Sequence, residues 1–253
     1  TSLTGSVGKW RTVTTGSKGK DKKKQRRILN GRKMSFDTVP IYSKGGAREN
    51  SQKKIALYVE NLLRMALSFS PDTFERAADS QFIEFLDECS RLRTMSLHDI
   101  DFTSKEAFCI FVNLYHCLLQ HSLLLGKKFR VSCICCKAFN FTHKLHLILY
   151  ILAVDGLPTK RSVAHFKRCS CYEIGDSVFS LSELECCVIR GRTSRPSHIK
   201  SPFVNVPKKS RSYRQVYGLD ATDFRVNFIL NNGDKSYPSK VPILTPQTMD
   251  DKM

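Results

Sequence analysis

Residues 103–125 read TSKEAFCIFVNLYHCLLQHSLLL, and the fold is decided by what this stretch must be. Thr103 followed by Glu106 has the form of a capping box, and the run from Phe108 to Leu125 is apolar on nearly every side. A helix that is apolar all round is buried, so this is the expected central helix of the fold. It has about the length of a membrane span. However, Asn113, His116 and Gln120 follow one another at spacings of three and four and draw one polar line along it, which lipid would tolerate poorly. Buried polar groups need partners, so the line faces either a hydrogen-bond network in the core or a cleft.

Upstream, Ile55, Tyr58, Val59, Leu62, Leu63 and Ala66 recur at three- and four-residue steps, predicting a helix from about Asn50 to Ser70, ahead of Pro71. A second helix is predicted from Ser80 through Phe82, Phe85, Leu86, Cys89 and Leu92, with Pro71-Asp72 as a short helix start between the two. Downstream, Tyr172 to Phe179 reads as a hairpin turning at Gly175-Asp176. Ser180 and Glu183 form a second capping box, opening a helix through Leu184, Cys187 and Val188 that ends at Gly191. Phe224, Val226, Phe228 and Leu230 alternate with other residues, which predicts a strand before the turn signal Asn232-Gly233-Asp234. Helices first and strands later give an α+β fold: a helix-rich N-terminal half around a buried central helix, with a hairpin and short strands in the C-terminal half.

Charge divides the chain differently. Its 253 residues hold 41 Lys and Arg against 23 Asp and Glu, a formal charge of +18. Residues 1–34 carry +10 and residues 191–214 carry +7, leaving +1 for the rest. The run Lys18, Lys20, Lys22, Lys23, Lys24, Arg26 and Arg27 has no apolar periodicity, so residues 1–49 are expected to be a disordered basic tail. Such a tail is a linker, a nuclear address, or a contact for nucleic acid or an anionic membrane surface. Nucleic-acid binding would lack stacking platforms, since only Tyr213 and Tyr217 interleave with the second basic segment. An apolar content of 41% excludes a wholly disordered chain.

Three blocks, Glu106–Gly126, Tyr172–Gly191 and Asp223–Pro246, together resemble the DUF547 family, a domain of unknown function. The likeness spans roughly residues 50–246, so the domain is assigned to 50–253. Asn113, Leu114, Tyr115 and His121 match the family's helix motif. Tyr172, Ile174, Gly175, Ser180, Leu181, Glu185 and Arg190 match its second block; Phe228, Leu230, Gly233, Ser236 and Pro238 match its third. Family members of plants and animals carry this domain beside coiled-coil, lipid-binding or signalling modules, which implies a regulatory or scaffolding setting.

The chain departs from the family pattern in three ways. Asn227 and Asn232 stand where the pattern has His and Cys, and Asn supplies neither nucleophile nor base, so any thiol chemistry of relatives should be missing here. Asp176 replaces the hairpin's second glycine. Residues 127–155 separate blocks that are adjacent in the pattern, and are either an added helix or translated intron sequence. The end at Met253, after what reads as a helix start, is expected to truncate the domain.

Ten cysteines raise the possibility of zinc: Cys133, Cys136, Cys169 and Cys171 with His143 and His146 supply enough ligands. Two of the four thiols and both histidines lie in the added segment and CxC replaces a second CxxC, so no metal site and no cofactor is assigned; Cys109, Cys117, Cys186 and Cys187 read as core residues. Phosphate-loop, HExxH, nucleophile-elbow and kinase motifs do not occur. The reading is a non-catalytic interaction or scaffold domain, intracellular and cytoplasmic or nuclear, binding protein partners and acting in intracellular signalling. The alternatives are a degenerate thiol-hydrolase fold and a basic-tail binder. The candidate polar cleft comprises Asn113, Tyr115, His116, Gln120, His121, Asn227 and Asn232.

Overall fold

The computed structural model describes residues 11–15, 24–31, 48–69, 80–131, 166–191, 216–220, 224–230 and 241–251. Helix α3, Lys105–Val131, is the axis of this fold. Its start is fixed one residue later than the sequence predicts. The Thr103 amide and hydroxyl both donate to Asp101 Oδ1, at 3.0 and 2.8 Å, which occupies Thr103. Ser104 Oγ therefore caps the helix, accepting from the Ala107 amide at 3.1 Å. By length and apolarity Lys105–Leu124 would cross a membrane, yet 94% of its most apolar window is buried against other elements of the fold.

The main cover is α1, Arg48–Ser68, whose predicted stripe of Ile55, Val59, Leu62, Leu63 and Ala66 is buried. Helix α2, Ser80–Arg91, adds Phe82, Phe85, Leu86 and Cys89. Phe69 meets Phe82 edge to face, with ring centroids 5.5 Å apart, and closes the gap between the two helices. Two short 3₁₀ turns, Leu92–Thr94 and Leu97–Asp99, then carry the chain to α3.

A four-stranded sheet lies against these helices, made of β1 (Arg11–Thr15), β2 (Lys24–Ile28), β3 (Ser170–Ile174) and β4 (Ser177–Ser180) in that order. The β1–β2 and β3–β4 pairs are antiparallel, and β2–β3 is parallel. The β3–β4 hairpin turns at Gly175-Asp176 as expected, pairing Ile174 with Ser177. Gly175 sits at φ 55°, and a Cβ there would lie 2.6 Å from the Met95 carbonyl oxygen. Gly175→Ala therefore adds left-handed strain to a backbone clash, and about 3 kcal/mol of destabilisation is expected in urea unfolding. An unchanged midpoint would refute the close approach.

The basic tail is where the structure departs most from expectation. Within the tail expected to be disordered, Arg11–Thr15 and Lys24–Ile28 form strands, and Ile28, Leu29 and Asn30 are buried. The cause is a buried acid: Arg26 pairs with Glu183, so one charge of the basic run is neutralised inside the fold. Lys18, Lys20, Lys22 and Lys23 lie outside the described residues.

After β4, the Ser180–Glu183 capping box forms as predicted, and α4 (Leu181–Glu183) passes into a π-helical stretch, Leu184–Ile189. This ends at Gly191, where a Cβ would fall 2.7 Å from Gly218 Cα, so glycine is required by the crossing chain. The strand predicted across 224–230 is instead a short helix, α5, Val226–Ile229. Apolar residues at every second position also satisfy a four-residue step. Val226 and Leu230 turn inward, while Phe224 and Phe228 remain 73% exposed. Helix α6, Pro246–Asp251, packs on α3, with Cys109 Sγ 3.4 Å from Met249 Sδ.

Candidate functional site

The polar line of α3 begins at Asn113, which is buried. Its Nδ2 donates to the Leu244 carbonyl at 2.8 Å, and its Oδ1 accepts from the Leu244 amide at 3.0 Å. An amide side chain pairing with both groups of one residue acts as a piece of β-ladder, so Asn113 fastens the C-terminal segment to the central helix. One turn on, the buried His116 ring bonds the Ile229 backbone, and burial pulls its pKa down to about 4. Gln120 is half-buried.

His121 turns elsewhere. Its Nδ1 lies 2.8 Å from the Tyr172 hydroxyl, and its ring meets Phe85 edge-on at 5.2 Å. The same hydroxyl is 3.4 Å from Cys89 Sγ and 3.6 Å from Cys117 Sγ. All four residues are fully buried. Burial lowers the His121 pKa to about 3, leaving its ring neutral, and raises those of the Cys89 thiol and the Tyr172 hydroxyl. Its Nε2 has no hydrogen-bond partner among the described residues. A thiol nucleophile needs its pKa lowered by a base or cation, and here desolvation drives Cys89 the other way. Burial likewise pushes Cys109 and Cys171 up to about 12.

A third polar group lies beside the π-helical stretch and runs from buried Lys167 to exposed Asn227. Glu185 accepts from Lys167 Nζ at 2.8 Å and lies 3.8 Å from Arg190 Nε. Arg190 in turn donates to Asn227 Oδ1 at 2.6 Å. Lys167 Nζ sits 6.0 Å over the ring of buried Tyr115. The residues expected to line one cleft are therefore distributed over three places: Asn113 and His116 against C-terminal backbone, His121 in the Tyr172 cluster, and Asn227 exposed at the end of an ion-pair chain. Periodicity put them on one helix side but carried no information on which segments cover it. Asn232, Gly233, Ser236 and Pro238 lie outside the described residues.

Of the other motif residues, Leu114 and Leu181 are core, and Ser180 is the N-cap of α4. The Glu183 carboxylate accepts from the Ser180 amide at 2.8 Å and its hydroxyl at 2.7 Å, in addition to the Arg26 pair. Four residues carry interactions that sequence reading did not single out: Arg26 as an ion-pair partner, Asn30, Lys167, and Gln52, which accepts from the Asp101 amide at 2.9 Å and donates to Ser104 Oγ at the α3 cap. Asn30-Gly31 directly after the apolar pair Ile28-Leu29 is the one local signal that marks the end of a strand there. Among the described residues no group of three or more His, Cys, Asp or Glu is placed to hold a metal. Cys169 and Cys171 are described, and Cys133, Cys136, His143 and His146 are not. Burial raises the pKa of the Cys169 thiol, opposed in part by the nearby Arg27, Arg168 and Arg26.

No curated protein and no solved structure matches this chain. A family model does, that of the protein of unknown function DUF547, over residues 100–253. The match opens at the residue before Asp101, which sets up the α3 cap, and takes in α3, the β3–β4 hairpin with its capping box, and α5 and α6; β1, β2, α1 and α2 precede it. Since the matched region is more than half of the chain and contains the helix and hairpin blocks just described, the chain belongs to the DUF547 family.

Proposed function

We propose that this chain is a non-catalytic interaction domain of the DUF547 family, binding protein partners in an intracellular signalling setting. The observation that carries this reading is that three polar side chains of the central helix are engaged by the chain itself. Asn113 is taken by Leu244, His116 by Ile229 and His121 by Tyr172. Apolar side chains face outward instead: Phe224 and Phe228, one helical turn apart, with Val216 61% exposed. Seven described cysteines stand as thiols, which favours a reducing compartment, cytoplasmic or nuclear. The basic residues from Lys18 to Lys23 add an electrostatic contact for an anionic membrane surface or nucleic acid. Truncation at residue 34 would not isolate that role, because it also removes β2.

The test has two arms. With the folded chain and iodoacetamide at neutral pH, followed peptide by peptide in a mass spectrometer, Cys89, Cys109 and Cys171 should react at least ~100-fold more slowly than a small thiol. A cysteine that reacted faster than the small thiol would identify an activated nucleophile and end the non-catalytic reading. In the second arm, Phe224→Ser/Phe228→Ser should keep its thermal midpoint and lose the proteins that the unaltered chain retains. Retention of the same proteins by the variant would remove this patch from the interaction.

A further inference from the structure

Residues 26–30, Arg-Arg-Ile-Leu-Asn, enter the fold from outside the region shared with the family and lie alongside β3 as a peptide lies in a receptor. Four of the five side chains are received individually. Arg26 pairs with the buried carboxylate of Glu183. Ile28 is fully buried and Leu29 nearly so, while Arg27, between Arg26 and Ile28, is exposed. The main chain runs parallel to β3, with Arg27 opposite Ser170 and Ile28 opposite Cys171, and the Leu29 amide donates to the Cys171 carbonyl at 2.9 Å.

Asn30 completes the pairing with its side chain. Its Nδ2 donates to the Glu173 carbonyl at 2.7 Å, and its Oδ1 accepts from the Glu173 amide at 2.9 Å. A neighbouring strand would satisfy that residue in the same way, so the carboxamide extends the ladder by one rung. The second Nδ2 hydrogen reaches the Cys89 carbonyl, at 3.2 Å, on α2. A residue lacking either a donor or an acceptor at this position would leave a buried backbone group unpaired.

We propose that the groove formed by β3, the C-terminal end of α2 and Glu183 is a peptide-binding site for extended segments of the pattern Arg-x-aliphatic-aliphatic-Asn. Residues 26–30 are its occupant in cis, and a protein partner presenting the same pattern takes the site by strand exchange. Main-chain pairing supplies affinity, and the Glu183 carboxylate, the two apolar seats and the Asn30 rung supply specificity. Residues 32–47 join the occupant covalently to α1, so it competes for the groove intramolecularly against any free partner. The cis segment therefore sets a threshold that a partner must exceed. The proposal adds a partner class to the interaction reading, and because it does not involve Phe224 or Phe228 the two can fail separately.

The experiment inserts a specific protease site between residues 32 and 47 of the full chain and cuts the tether after folding. The N-terminal fragment should stay bound on gel filtration, and excess fluorescent peptide of residues 9–33 should replace it. The same peptide with Asn30→Ala should compete at least ~100-fold less well. The uncut chain should bind the labelled peptide at least tenfold more weakly than the cut chain, because its own segment competes. The proposal is overturned if the fragment does not exchange, if the Asn30→Ala peptide competes equally, or if cutting abolishes the helical circular dichroism. In each of those cases residues 26–30 are a fixed part of the folding unit and not a replaceable ligand.

Discussion

Lowering the pH from 7 to 4.5 should cost about 5 kcal/mol of folding stability through His116 and His121 alone. Both rings are buried, and burial lowers their pKa to about 4 and about 3; the bond from His116 to the Ile229 backbone opposes this in part. An unfolded histidine takes up its proton near pH 6.5. Between that value and the folded pKa values the unfolded chain thus holds up to two more protons than the folded one. Stability then falls as pH falls, by about 1.4 kcal/mol per pH unit for each ring, and the loss levels off only below the folded values. Against a total stability of about 5–15 kcal/mol, this brings the fold to the edge of unfolding at mildly acid pH. Urea midpoints at pH 7 and 4.5 would measure it. His116→Gln/His121→Gln should remove most of the pH dependence in this window, and an unaltered slope in that variant would show that other groups cause the acid loss.

The elements legible in the sequence are those whose evidence is local. The stripe of α1, the apolar run of α3, the turn at Gly175-Asp176 and the Ser180–Glu183 box each reside within a few residues, and each formed. Where the deciding partner is distant, local patterns pointed elsewhere. Arg26 reads as one charge in a solvated run, because the carboxylate that orders it is 157 residues away. Asn30 reads as turn chemistry, and its partners lie 59 and 143 residues away. The even spacing from Phe224 to Leu230 fits strand and helix alike, and packing of Val226 and Leu230 against the core decided for helix. The candidate cleft divided for a related reason: helical spacing states which side chains share a side, while the segments opposite come from residues 172, 229 and 244.

Asn113 separates a structural polar line from a catalytic one by experiment. Asn113→Ala should destabilise the protein by about 4 kcal/mol, because the buried Leu244 amide and carbonyl both lose their partner and a small cavity is left beside α3. The damage should begin at the C-terminal segment. Thr248 Oγ1 accepts from the Thr245 amide at 2.9 Å, and the Met249 amide donates to Thr245 O at 3.2 Å, so this short helix holds itself together; its polar ties to the rest of the fold are Asn113 and the 3.1 Å bond from Arg225 to the Met249 carbonyl, beside the buried Leu244 and Met249 side chains. Hydrogen exchange in residues 241–251 should therefore accelerate by more than about a hundredfold, ahead of any change in the α1–α3 core. Asn113→Asp gives the complementary sign. The carboxylate still accepts from the Leu244 amide but faces the Leu244 carbonyl without a donor, so the variant should regain stability on acidification as that group takes a proton, opposite to the histidine trend. If Asn113→Ala left exchange at 241–251 unchanged, the bonds to Leu244 would not be what holds that segment, and Asn113 would again be available for a role in a cleft.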